Sequence, residues 1–78
     1  MKFWGYTKEL QHAESPQPAE LPEVTISATP AELRAIAHFL AKVADEIEVH
    51  GSDFEHEHFA TDDENNPSLV IFNPDALS

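Results

Sequence analysis

Thr29-Pro30-Ala31-Glu32-Leu33-Arg34-Ala35-Ile36-Ala37-His38-Phe39-Leu40-Ala41-Lys42-Val43-Ala44-Asp45-Glu46-Ile47-Glu48-Val49-His50-Gly51 is the stretch on which the fold turns. Thr29 can accept a hydrogen bond from a free amide of the first turn. Pro30 suits the first helical position, where no N–H is needed, and Glu32 can reach back to close a capping box. From there Leu33, Ile36, Ala37, Leu40, Val43, Ala44 and Ile47 recur at spacings of three and four, one apolar stripe on an amphipathic helix. Gly51 stands where a left-handed C-terminal cap belongs. His50 precedes it, where a protonated imidazole would meet the negative helix end. The spacing predicts a helix from Pro30 to His50, roughly 31 Å long at 1.5 Å per residue.

Upstream, Glu23-Val24-Thr25-Ile26-Ser27-Ala28 alternates, with Val24, Ile26 and Ala28 on one side, and reads as a half-buried strand. Residues 11–22 hold Pro16, Pro18 and Pro22 without an apolar period and read as a proline-rich loop. Phe3-Trp4-Gly5-Tyr6-Thr7 is aromatic and β-prone, a first strand. Trp4 and Tyr6 are either interface anchors or aromatics packed at the sheet's edge. A core this small favours the second reading.

Downstream, Gly51-Ser52-Asp53 turns the chain into Phe54-Glu55-His56-Glu57-His58-Phe59. Here Phe54, His56 and His58 alternate with Glu55, Glu57 and Phe59. Residues 61–67 read as a polar turn, and Ser68-Leu69-Val70-Ile71-Phe72 as a short buried strand ended by Asn73-Pro74. The expected fold is α+β in the order β-β-α-β-β, with one long amphipathic helix packed on a small, mainly antiparallel sheet. The helix stripe is expected to bury against Val24, Ile26 and alternate residues of the last strand.

A chain of 78 residues has room for one domain, 1–78, and for a core of marginal stability. It has no cysteine, so neither a disulfide nor a thiolate is available. Good packing, a homodimer or a bound partner must supply the stability instead. The N-terminus has no apolar h-region, and the longest apolar run, Leu69 to Phe72, is far short of the ~20 residues of a membrane span. A soluble protein of the cytoplasm is expected.

Fifteen acidic residues stand against four basic ones, a formal net charge of -11, and no Lys or Arg follows Lys42. That field repels nucleic acid and anionic membranes, and it accelerates capture of a basic protein. In the bland reading the charge only keeps a small protein soluble.

The one constellation with chemical character is His50-Gly51-Ser52-Asp53-Phe54-Glu55-His56-Glu57-His58. On a strand, His56 and His58 project to one side and could share a zinc or nickel ion, with Asp53 or His50 as a third ligand. The spacing fits no standard zinc motif, and the histidines are two apart rather than the four of the helical H-E-x-x-H pattern. The structural alternative has them hydrogen-bonded to Asp53, Glu55 or Glu57. Asp53 or Ser52 beside the histidines would suit acid–base or nucleophilic catalysis only inside a cleft. A single helix over a small sheet rarely encloses the ~300 Å³ that this takes. With only Gly5 and Gly51 in the chain, there is no phosphate-binding glycine loop. No enzyme is expected, and no cofactor.

The capped helix start with the preceding Glu23–Ala28, the run Ala44-Asp45-Glu46-Ile47-Glu48 and the His50–His58 stretch together resemble immunity protein family 32 of bacterial polymorphic toxin systems. The resemblance covers Glu23 to Phe59 and, more weakly, the strand ending near Pro74. It implies a small acidic inhibitor that binds and neutralises a cognate toxin domain, with Asp53, Glu55, His56, Glu57 and His58 as the candidate contact surface. A metal-binding module built on His56 and His58 is the alternative. An acidic mimic of nucleic acid is a third reading.

Overall fold

The computed structural model describes residues 1–59 and 67–76, Gln11 by its backbone only. Its elements are β1 (Phe3–Gly5), α1 (Lys8–Gln11), β2 (Ala19–Leu21), α2 (Pro30–His50), β3 (His56–His58) and β4 (Val70–Phe72). The α+β class and the order of strands about one long helix are as expected. The antiparallel pairing is divided between two ribbons, β1–β2 and β3–β4.

Helix α2 begins and ends on the expected residues. The Thr29 hydroxyl accepts from the Glu32 N–H at 3.2 Å, and the Glu32 carboxylate accepts from the Thr29 N–H at 2.9 Å. That is the reciprocal capping box, with Pro30 in the first turn. At the other end the Gly51 N–H donates to the Ile47 carbonyl. Gly51 has the positive φ anticipated there, 56°, but ψ is -135°, outside the left-handed helical well. The chain leaves α2 through a 3₁₀ turn, Gly51–Asp53, rather than a simple left-handed cap. This backbone conformation is open to glycine and strained for any L side chain.

The covered face of α2 is narrower than its apolar stripe. Phe39 and Val43 are the only buried apolar side chains among the described residues, and Ile36 and Ile47 are half-buried on the same side. Leu33 and Leu40, on the flank of the stripe, remain exposed. Phe39 was outside the predicted stripe. Its ring meets that of Phe59 at 5.1 Å between centroids, tilted by 58°, a favourable aromatic geometry.

Strand β3 pairs with β4 in the register His56↔Phe72, Glu57↔Ile71, His58↔Val70. Bonds from the Phe59 N–H to the Leu69 carbonyl and from the Asn73 N–H to the Glu55 carbonyl, both 2.8 Å, continue the pairing at each end. The strand boundaries expected in this half therefore hold to within a residue or two. The expected polar turn at 61–67 lies outside the described residues except for Pro67.

Three expectations for the first half are corrected. The strand partner of β1 is Ala19–Leu21, inside the region read as a proline-rich loop, in the register Phe3↔Leu21, Trp4↔Glu20, Gly5↔Ala19. Residues 23–28 form no strand, and Val24 and Ile26 stay 42% and 54% exposed instead of covering the helix. Pro22 lacks an N–H and closes the β2 ladder just before this segment. The short helix α1, capped by the Thr7 hydroxyl on the Leu10 N–H at 3.1 Å, was also not anticipated. Trp4 and Tyr6, expected to pack, are more than half exposed, because among the described residues the β1–β2 ribbon pairs only with itself.

Candidate partner-binding site

The alternation in β3 sorts its side chains as the sequence implied. His56 and His58 share the outer face of the β3–β4 ribbon with their cross-strand neighbours Phe72 and Val70, and all four are exposed. The two imidazoles meet edge-on, 5.1 Å between centroids, and His56 lies nearly parallel to the Phe72 ring at 6.4 Å. The His56 Nδ1 lies 3.2 Å from a Glu55 carboxylate oxygen, both side chains facing solvent. An exposed pair of this kind contributes little to stability.

Glu57 points the other way. It is half-buried and lines a cleft with Ala35, His38, Phe39, Lys42, His58 and Phe59, so it faces the helix side of the ribbon. Asp53 ends the 3₁₀ turn and is exposed. The five predicted contact residues therefore divide. His56 and His58 share the ribbon's outer face with Glu55 beside His56, Glu57 belongs to the inner cleft that His58 also borders, and Asp53 stands at the helix end. Among the described residues no three His, Asp or Glu side chains converge as a metal site would need.

The turn carrying Asp53 is held by a residue that the sequence reading took only as a strand terminator. Asn73, 2% exposed, donates from its side-chain amide to the carbonyls of Gly51 at 3.1 Å and Phe54 at 2.9 Å. Its side-chain oxygen accepts from the Asp75 N–H at 3.1 Å. One side chain thus ties the exit of α2 and the approach to β3 onto the end of β4. An Asn directly after an apolar strand and before Pro74 was the available signal. What it bonds depends on residues about twenty positions away.

A second surface adjoins the inner cleft, sharing Ala35 and Phe59 with it. Here an open groove of about 890 Å³ runs between the β1–β2 ribbon, residues 24–28, the first half of α2 and the Phe59/Leu69 end of β3–β4. Trp4, Tyr6, Val24 and Ile26 line it with exposed apolar surface, and Leu21, Ile36 and Leu69 are half-buried beside them. The groove exceeds the volume that a fold this small was expected to offer, but it is open along its length. Among the described residues Glu32 is the one charged residue lining it, and no Lys or Arg does.

Compared with known families, residues 23–74 match the sequence model of Immunity protein 32, two thirds of the chain. The chain belongs to that family. The matched span of this Immunity protein 32 member holds the 23–28 segment, α2, both strands of the second ribbon and Asn73, and it leaves out the β1–β2 ribbon. Curated proteins and solved structures give no match. Among the described residues no helix is long and apolar enough to cross a membrane.

Proposed function

We propose that this single-domain chain is an immunity protein that binds a cognate bacterial toxin domain in the cytoplasm and neutralises it by occlusion, without catalysis. Membership of the Immunity protein 32 family carries the reading. The charge of -11 supports it and points to a basic toxin, for example one whose own site is built to receive phosphate. Asp53, Glu55, His56, Glu57 and His58 supply carboxylates and imidazoles to the contact surface, His56 from the outer ribbon face with Glu55 beside it and Glu57 from the inner cleft.

The test is pull-down of a basic toxin domain with this chain, followed by co-expression of the two. Growth restored by this chain, together with a one-to-one complex in sedimentation, is the expected result. A toxin that stays lethal while the chain is present and folded would sink the reading.

A further inference from the structure

Residues 23–28 carry the best strand signal in the first half of the chain, with three β-branched residues in a row, Val24-Thr25-Ile26, inside an alternating pattern. Yet they pair with no strand among the described residues. No backbone N–H or C=O between Glu23 and Ala28 has a hydrogen-bond partner among the described residues. The same six residues hold Val24 and Ile26 open beside the apolar groove. Local preference and observed structure disagree here. Such disagreements are expected where a surface is kept for another molecule.

We infer that residues 23–28 receive an extended strand of the toxin domain, an apolar strand flanked by Lys or Arg, which pairs with this backbone and sets its side chains in the Trp4–Tyr6–Val24–Ile26 groove. This rests on the function proposed above and names where the partner docks. Pairing would satisfy the idle backbone groups and cover the exposed apolar side chains in one step, the mode of strand addition used by many peptide-binding domains.

Charge selects the occupant. Glu23 begins the segment, Glu20 stands opposite Trp4 in the first ribbon, and Glu57 lies in the adjoining cleft. Lys42 stands in that adjoining cleft, ion-paired with Glu46, but among the described residues no Lys or Arg lines the groove itself, so an incoming strand bearing Lys or Arg meets a predominantly acidic rim. A second copy of this chain would bring another -11 to the contact, and is disfavoured.

The experiment is amide hydrogen exchange on the free chain and on its complex with the toxin domain whose lethality this chain relieves in the co-expression test. In the free chain the 23–28 amides exchange fast. In the complex every second one is slowed, as the ladder of an edge strand requires. Thr25→Pro and Ile26→Pro then each delete one N–H that bonds nothing in the free chain. One of the two should weaken the complex about tenfold more than the other, and both should melt within about 2 °C of the parent chain. A complex with no protection at 23–28 overturns the inference and leaves the immunity reading standing. No complex at all overturns both. Alternate protection in a free chain that sediments as a dimer would make a second copy the occupant and also overturn it.

Discussion

Asn73 shows how much one side chain can hold in a fold with so little core. Its amide serves the Gly51 and Phe54 carbonyls, and its oxygen serves the Asp75 N–H, all from a buried position. Asn73→Ala leaves those groups short of partners and should cost about 2 kcal/mol in denaturant unfolding. Asn73→Asp should cost more at neutral pH, because a carboxylate then faces two carbonyl oxygens. That contact disfavours the charged form and raises the variant's folded-state pKa above its unfolded value. The variant should therefore recover stability as pH falls through the folded pKa, and lose it as pH rises. A melting series across pH reads the sign directly. No periodicity marks such a residue in advance, because its worth lies in bonds to carbonyls that the chain's folding alone brings near.

Among the elements, α2 was legible to the residue because its signals are local. Thr29, Pro30 and Glu32 act within one turn, and Gly51 within the next. Its buried side was less legible. Of the apolar stripe, Val43 is 1% exposed while Leu40 is 43% exposed, and Phe39 outside the stripe is buried against Phe59. Val43→Ala should therefore cost about 2 kcal/mol, and Leu40→Ala under about 0.5 kcal/mol, in the same denaturation experiment. Equal costs would mean that the flank of the stripe is covered in solution.

The second ribbon was legible in outline, since His56 and His58 do share a face and the strand ends are close to those expected. Glu23–Ala28 was misread for a physical reason. Alternation reports only that a segment can form a strand. Whether it does depends on a neighbour with free backbone groups, and here β1 had already paired with Ala19–Leu21. The candidate site was half legible for the same reason. The His/Glu alternation was visible, but that Glu57 faces a cleft while His56 faces solvent follows from where α2 lies.

For the molecule as a whole, charge is a long-range property and predicts kinetics. If the partner is basic, the association rate constant should fall about tenfold or more between ~0.05 M and ~0.5 M salt. The dissociation rate constant should change much less. Stopped-flow mixing with the toxin domain separates the two. A salt-insensitive association rate would remove steering from the account. Binding should also raise the melting temperature strongly, since only Phe39 and Val43 among the described apolar residues are buried in the free chain.

The Asn73 clamp has a consequence in time as well as in energy. Its two carbonyl partners lie 22 and 19 positions earlier in the chain. Helix α2, by contrast, is closed by bonds that span three or four residues. Contacts between distant positions wait for the chain to be gathered. The clamp should then snap shut after the rate-limiting step, and its loss should show as faster opening rather than slower closing. In a chevron plot, Asn73→Ala would lift the unfolding arm and leave the refolding arm nearly in place. That would make Asn73 the latch that governs how long the folded molecule lasts.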